Sequence, residues 1–165
     1  MTVIVVMGPS GSGKTTVGQM LADRLEVPFY EGDDFHPPEN IAKISRGEGL
    51  SADDRRPWIS TISKALNADA APISVLACSA LNAVVRDQLC EELRAEARFV
   101  LLDVPPEELL RRLQTRAAHF AGPDLLKSQL EALDAAEEAY RLPADRPADQ
   151  LATAIADWIQ AAPSS

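Results

Sequence analysis

The feature that most constrains this chain is a glycine-rich stretch close to its N-terminus. An apolar run rich in β-branched residues, Thr2–Met7, leads directly into Gly8-Pro9-Ser10-Gly11-Ser12-Gly13-Lys14-Thr15-Thr16. The stretch matches G-x-x-x-x-G-K-[ST], the P-loop pattern, which binds the phosphates of a nucleotide between a strand and a helix. The preceding run predicts a buried parallel strand and the following residues predict a helix, so the motif has the context that it needs.

Each residue type in the P-loop has a chemical task. Glycines let the backbone turn tightly and bring its N–H groups onto a phosphate, and the following helix directs its positive dipole end at the same anion. Lys14 can reach the β- and γ-phosphates, and the Thr15 hydroxyl can ligate Mg²⁺. The alternative is a glycine- and serine-rich turn without function, against which the flanking strand and helix argue. We therefore expect ATP and Mg²⁺ as cofactors and a set of nucleotide-binding residues in the loop: Gly8, Ser10, Gly11, Ser12, Gly13, Lys14, Thr15 and Thr16.

Length and composition indicate one folded unit. With 165 residues, 46% of them hydrophobic, the chain can bury a sizeable core, and we expect a single domain over 1–165. No apolar stretch approaches the ~20 residues that span a bilayer, and the N-terminus enters a strand without a basic leader, so we expect no membrane segment and a cytoplasmic location. Cys78 and Cys90 fall on a predicted strand end and a predicted helix, which indicates reduced thiols.

The charge balance argues against one class of partners. Sixteen basic and twenty-five acidic residues give a net charge of −9. This balance argues against a nucleic-acid-binding surface and against binding to an anionic membrane. An anionic ligand would therefore have to be met by a local cluster of basic residues.

Hydrophobic periodicity predicts strands that alternate with helices. Because each crossover is too long for a hairpin, the strands should be parallel and the sheet covered by helices on both faces. The predicted fold class is α/β, a P-loop kinase fold with a five-stranded parallel sheet, a helical insert at about 37–70 and a lid at about 112–124. Besides the first strand, the predicted strands are Phe29–Glu31, Ile73–Cys78, Phe99–Asp103 and, short or at an edge because of Pro143, Tyr140–Ala144. The predicted helices run from the P-loop to about Glu26 and over Glu39–Arg46, Asp54–Ala70, Asn82–Ala97, Pro105–Thr115, Asp124–Tyr140 and Pro147–Gln160.

Acidic and imidazole groups follow the second predicted strand, in Gly32-Asp33-Asp34-Phe35-His36-Pro37-Pro38. Ligands of open α/β sheets bind at such carboxyl ends of strands. Asp33 would face the P-loop, where it could accept a proton from a substrate hydroxyl and help to hold Mg²⁺ through water. The alternative role for Asp33 is an ordinary turn or helix cap.

Basic residues in two other places could meet an anion. Arg112 and Arg116, at i and i+4, share a helix face beside a Gly-Pro break, which suits a lid over a triphosphate or, equally, a solvated basic face. Arg55 and Arg56 lie in the first turn of a predicted helix and oppose its dipole, which suggests an anion beside them. The position of Arg86 alone does not distinguish an exposed residue from one that reaches the cleft.

Several further motifs, in order, resemble one family. They are Gly32-Asp33-Asp34-Phe35-His36-Pro37, Asn40-Ile41-x-Lys43, Leu50-x-x-Asp53-Asp54-Arg55-x-Pro57-Trp58, Cys78-Ser79-Ala80-Leu81 with Arg86, and Arg116-x-x-His119-Phe120 with Ser128-Gln129. From Val3 to about Leu133 the chain resembles gluconate kinase of the P-loop (thermoresistant) family. The resemblance implies ATP-dependent phosphorylation of D-gluconate at its 6-hydroxyl, Mg²⁺ as the metal and a homodimer. It also implies roles for individual residues: Asp33 as base, His36, Arg55 and Arg86 as ligands of gluconate, and Arg116 as part of a catalytic lid.

The chain departs from the family pattern at two positions next to the third strand. Asn82 stands where the family usually has Lys, and Val85 stands where it usually has Tyr. A lysine at position 82 could contact the bound acid, whereas Asn is among the best residues to cap a helix. Gly49 also replaces the proline of the family's Gly-x-Pro-Leu turn.

Other functions are compatible with a P-loop. A shikimate kinase would be expected to have Gly-Gly-Gly at the end of the third strand, where this chain has Cys78-Ser79-Ala80. A nucleoside monophosphate kinase needs a pocket for a base, which the acidic and histidine-containing loop after the second strand does not suggest. A nucleotide-binding regulator without catalysis is the alternative of a different class, and the intact Lys14, Thr15 and Asp33 argue against it.

Overall fold

A parallel sheet with β1 at its centre organises the chain. The computed structural model describes residues 1–115, 127, 129–130, 136 and 138–162. Its five strands lie in the order β2-β3-β1-β4-β5, and all four pairings are parallel. The strands are β1 (Thr2–Met7), β2 (Phe29–Glu31), β3 (Ile73–Ala77), β4 (Glu96–Asp103) and β5 (Tyr140–Pro143).

Helices connect the strands. They are α1 (Lys14–Leu25), α2 (Pro38–Ser45), α3 (Ala52–Ala68), α4 (Ala83–Glu92), α5 (Pro106–Thr115) and a C-terminal helix, Ala148–Ala161, and a single 3₁₀ turn, Gly32–Phe35, follows β2. Because the strands run in parallel, their carboxyl ends meet along one edge of the sheet, where the P-loop and the 3₁₀ turn both lie.

The sheet is covered on both faces because successive residues of β1 point to opposite sides. Ile4 and Val6 pack with apolar residues of α1, α5 and the C-terminal helix. Val3, Val5 and Met7 pack with apolar residues of α3 and α4. The predicted α/β fold of the P-loop kinase kind is therefore confirmed in its parallel sheet and in its two covered faces.

The helical insert between β2 and β3 is held together by polar contacts around Asp54. The Lys43 Nζ atom lies 2.7 Å from Asp54 Oδ2 and lowers the pKa of that carboxyl to about 2, with Ser51 adding to the effect. Ser51 and Asp54 also form a capping box at the start of α3. The predicted helices Glu39–Arg46 and Asp54–Ala70 are thus confirmed to within two residues at each end.

Two predicted helices extended too far. The one predicted at Asn82–Ala97 ends at Glu92, because residues from Glu96 onward pair with β1 from Thr2 and so belong to β4. The helix predicted to reach Tyr140 lies largely outside the described residues, but Tyr140 pairs with Val100 as the first residue of β5. Of the predicted lid, only residues 112–115 are described, and they form the end of α5.

The two cysteines are free, as predicted, with Cys78 buried and Cys90 exposed. Over the described part of the chain, every helix is too short or too polar to cross a bilayer.

Asn82 caps α4. Its side chain accepts a hydrogen bond from the Val85 backbone N–H at 3.1 Å, and Val85 itself is buried in the core. Of the two residues that differ from the family pattern, Asn82 is therefore a helix cap and Val85 is a core residue.

We expect Asn82→Lys to destabilise the protein, because it removes the cap and places a positive charge at the positive end of the helix dipole. The expected loss is about 1 kcal/mol in the free energy of unfolding, measured by urea denaturation. The control is Asn82→Ser, which keeps an acceptor at the cap. Equal stability of the lysine variant and the wild type would contradict the capping role.

Candidate active site

The P-loop forms a cradle with an uncapped helix at its base. Gly11 and Gly13 adopt left-handed φ angles of 85° and 90°, and a Cβ atom on Gly8 would lie 2.6 Å from Ser12 Oγ. Helix α1 begins after Gly13 without a side-chain cap and without an acidic residue in its first turn. The Ser12 Oγ atom is buried, and none of the residues that the structure describes forms a hydrogen bond with it. Free backbone N–H groups and an orphan hydroxyl are the donors that a phosphate group requires.

Glu31 is a functional candidate that the sequence reasoning missed. It is the last residue of β2, and its carboxylate accepts a hydrogen bond from the Thr15 hydroxyl and another, at 3.2 Å, from the Asp33 N–H. Burial raises the pKa of Glu31, while these two hydrogen bonds oppose the rise. Its position at a strand's carboxyl end, two residues before Asp33, was the available signal.

Asp33 lies in the 3₁₀ turn after β2, and that turn is fixed from two sides. A Cβ atom on Gly32 would lie 2.7 Å from the Ala77 carbonyl oxygen, so only glycine allows β2 to end so close to β3. The buried indole N–H of Trp58 donates to the Gly32 carbonyl at 2.7 Å. With its backbone fixed in this way, the Asp33 side chain remains 46% exposed and open to a ligand.

His36 lies beside Asp33 with its orientation determined by three neighbours. The imidazole is 6% exposed and stacks on Trp58 with ring centroids 4.1 Å apart. The Asn40 amide nitrogen, which can only donate, lies 3.2 Å from His36 Nδ1. The ring proton is therefore on Nε2, 3.8 Å from Asp33 Oδ1.

Arg55 completes this cluster. Burial lowers the pKa of His36, Asp33 opposes that effect, and the nearby charge of Arg55 lowers the pKa further, so the imidazole is neutral at pH 7. Arg55 is half-buried, and burial also lowers the pKa of its guanidinium. Among the described residues, none accepts a hydrogen bond from the guanidinium of Arg55. The structure thus brings together three of the predicted site residues and leaves a cation among them for an anion.

Arg112 and Gln129 contact the P-loop from the other side. Arg112 Nη1 donates to the Gly11 carbonyl at 3.0 Å and its Nε atom pairs with Glu108 at 3.1 Å. The Ser10 N–H donates to Gln129 Oε1 at 2.7 Å. Arg112 therefore contacts the glycine-rich loop, while its role in nucleotide binding stays a prediction, and Arg116 lies outside the described residues.

Arg86 is placed differently from the other predicted ligands of gluconate. Its side chain is 2% exposed, its Nε atom donates to the Glu138 carboxylate, and its Nη1 atom donates to the Ala80 carbonyl at 2.8 Å. In this structure the guanidinium of Arg86 therefore binds other residues of the protein. Its role as a ligand of gluconate stays a prediction.

Comparison with known families and proteins gives matches over most of the chain. A family model described as shikimate kinase matches residues 10–160. A gluconokinase of Gluconobacter oxydans is 46% identical over 134 residues, which cover 79% of this chain and 74% of that protein.

Solved structures are also similar over nearly the whole chain. A sugar kinase from Janibacter sp. has a TM-score of 0.88 and 38% identity, covering 99% of this chain and 96% of that one. A gluconokinase from Sinorhizobium meliloti has a TM-score of 0.79 and 36% identity, covering 98% of each chain.

We expect Trp58→Phe to lower both stability and turnover. The ring volume is largely kept, but the Gly32 carbonyl loses its buried donor, which should cost about 1–3 kcal/mol of unfolding free energy and loosen the turn that carries Asp33. Chemical denaturation and kcat measure the two effects. The matched control is Trp158→Phe on the C-terminal helix, where the ring stacks on Tyr140. Equal losses of turnover in the two variants would contradict a specific role of the Trp58 indole N–H in positioning the turn of Asp33.

Proposed function

Because this chain belongs to the gluconokinase family of P-loop kinases, we propose that it transfers the γ-phosphoryl group of ATP to the 6-hydroxyl of D-gluconate. The products are ADP and 6-phosphogluconate. The observation that carries the proposal is the cluster of Asp33, His36 and Arg55 across from the P-loop. A carboxylate base, a neutral imidazole and a guanidinium from which no described residue accepts a hydrogen bond match a polyhydroxy acid.

The nucleotide half of the site is the P-loop. Its phosphate ligands are the N–H groups at the start of α1, the Ser12 hydroxyl and Lys14, whose charge stabilises the transferring phosphoryl group. Arg112, which already binds the Gly11 carbonyl, is placed to contact the nucleotide from the end of α5. Arg116 follows one helical turn later in the sequence, and we keep it as the proposed catalytic arginine of the lid.

The residues present fit a magnesium ion. Thr15 contributes a hydroxyl oxygen and Glu31 contributes the carboxylate that is hydrogen-bonded to it. Asp33, whose backbone N–H binds the same Glu31 carboxylate, would add a second carboxylate from the adjoining turn. Mg²⁺ in kinase sites is usually held by one or two carboxylates, water and substrate phosphates, so the lack of a cluster of three ligating side chains in the described chain is no obstacle. When bound, the ion neutralises charge on the β- and γ-phosphate oxygens.

Asp33 is the general base in this proposal. Its carboxylate accepts the proton of the 6-hydroxyl as that oxygen forms a bond to the γ-phosphorus, and the bond from phosphorus to the bridging oxygen of ADP breaks. The hydrogen bond from Trp58 to Gly32 and the contact of Gly32 with β3 hold the backbone of this base in place.

The acceptor is oriented by Arg55 and His36. The half-buried guanidinium of Arg55 can bind the gluconate carboxylate in a bidentate manner. The His36 ring is held by Asn40 and Trp58, and its Nε2–H, 3.8 Å from Asp33 Oδ1, can donate to a hydroxyl of a sugar acid bound at Asp33. Asn82 takes no part, because its side chain is used to cap α4.

Shikimate kinase activity is the second candidate, favoured by the match of that family model to residues 10–160. The end of β3 argues against it, since Cys78-Ser79-Ala80 replaces the Gly-Gly-Gly expected there.

We also propose, from the family resemblance alone, that the enzyme is a homodimer and works in the cytoplasm.

Measurement of ADP formation with different acceptors tests the substrate. We expect ATP turnover to require D-gluconate and to show little stimulation by shikimate, because Cys78-Ser79-Ala80 stands where a shikimate kinase would have Gly-Gly-Gly at the end of β3. Product identity is checked by mass spectrometry of the phosphorylated acid. Turnover with shikimate but not with any sugar acid would reverse the assignment.

Asp33→Asn should reduce kcat by about 10²-fold or more, because the amide keeps the size of the side chain but cannot accept the proton. Binding of ATP, measured by calorimetry, should be nearly unchanged. The control is Asp34→Asn, the same change at the exposed neighbouring residue. A loss confined to ATP binding would make Asp33 a metal ligand instead of the base.

A further inference from the structure

The pair formed by Arg86 and Glu138 is not used by any step of the proposed reaction. Arg86, near the start of α4, is 2% exposed, whereas the Glu138 side chain is 48% exposed. The Arg86 guanidinium therefore lies within the protein, and a carboxylate reaches it from the surface. A buried guanidinium requires such a partner, since removing one member of a buried pair leaves an uncompensated charge.

A second contact of Arg86 leads to the acceptor site. Its Nη1 atom binds the carbonyl of Ala80, a buried residue with a left-handed φ of 41° that alanine rarely adopts. Ala80 belongs to the turn between β3 and α4, which also contains Cys78. A Cβ atom on Gly32 would lie 3.4 Å from the Cα of Cys78, so this turn packs directly against the backbone that precedes Asp33.

Glu138 is itself held in place independently of the ion pair. It lies in a turn closed by a hydrogen bond of 2.9 Å from the Ala139 N–H to the Ala136 carbonyl. Ala136 is buried in the same apolar cluster as Val85 and Leu89 of α4. The turn thus packs against the helix that carries Arg86. Its backbone is held in place, and the Glu138 carboxylate reaches the Arg86 guanidinium from it.

We propose that Glu138 is a positioning residue for the acceptor site. It acts through Arg86, which holds the Ala80 carbonyl and so fixes the turn that supports Gly32 and Asp33. The proposal rests on the function proposed above only in taking the sugar acid as the ligand of that site. In this role Arg86 does not bind the acid, and the acid's carboxylate is bound by Arg55.

The competing role for Arg86 is that of a direct ligand of gluconate. It predicts the opposite change in the KM for gluconate when the Glu138 charge is removed. If gluconate had to displace Glu138 from the guanidinium, removal of the Glu138 charge would free Arg86 and lower the KM for gluconate. If Glu138 positions the turn through Arg86, the same change loosens the site and raises that KM.

The test is Glu138→Gln, with steady-state kinetics on whichever sugar acid the wild-type enzyme phosphorylates. We expect the KM for the acid to rise about tenfold, because binding must then order a turn that the wild type already holds fixed, while the KM for ATP stays within about twofold. The control is Glu48→Gln, the same change in the exposed pair of Glu48 with Arg46, which should alter neither constant. Glu138→Asp, a milder change, should give a smaller rise in the same direction, and it replaces the glutamine variant if that variant does not fold.

Arg86→Lys, alone and combined with Glu138→Gln, tests whether Glu138 acts through Arg86. Lysine cannot make both hydrogen bonds of the guanidinium, so the single variant should raise the KM for the acid, and the double variant should raise it little further. A lower or unchanged KM for the acid in Glu138→Gln would overturn the proposal. Increases in this KM that multiply in the double variant would also overturn it.

A lower melting temperature with both KM values unchanged would contradict the proposal as well. Failure of the wild type to phosphorylate gluconate would count against the proposed function alone, because the variants can be measured on the acid that the enzyme does use.

Discussion

The acceptor side of this enzyme depends on one buried hydrogen bond, from the Trp58 indole to the Gly32 carbonyl. Gly32 connects the end of β2 to the turn that carries Asp33, and Trp58 belongs to the helical insert. The same indole ring supports His36 by stacking. One side chain of the insert therefore contacts both the turn of the proposed base and the neighbouring imidazole. It acts together with the packing of Gly32 against β3 and the contact of Asn40 with His36. Because both partners of the bond are buried, its loss could not be compensated by water.

The two halves of the site share Glu31. Its carboxylate binds the hydroxyl of Thr15 on the nucleotide side and the N–H of Asp33 on the acceptor side. The same carboxylate thus connects the threonine of the P-loop to the turn that carries Asp33. The raised pKa of Glu31 reflects the burial that this position requires.

Local patterns were sufficient to predict much of this arrangement, and long-range contacts account for what they missed. The P-loop, the strands at Phe29–Glu31 and Ile73–Ala77 and the grouping of Asp33 with His36 follow from motifs and periodicity within short segments. The end of α4 depended on the pairing of Glu96 with Thr2, and the start of β5 depended on the pairing of Tyr140 with Val100, neither of which periodicity reveals. The burial of Arg86 likewise depends on Glu138, a residue 52 positions away.

The two outer strands of the sheet have a consequence for how copies of this chain could assemble. One edge is β2, with three residues, and the other is β5, with four residues that end in Pro143, which has no backbone N–H. Such edges offer few unpaired backbone groups to a neighbouring sheet, and natural proteins use short, proline-containing edges to prevent strand addition. A homodimer of this kinase would therefore have to associate through its helical faces. The sheets of the two subunits would not join into one continuous sheet.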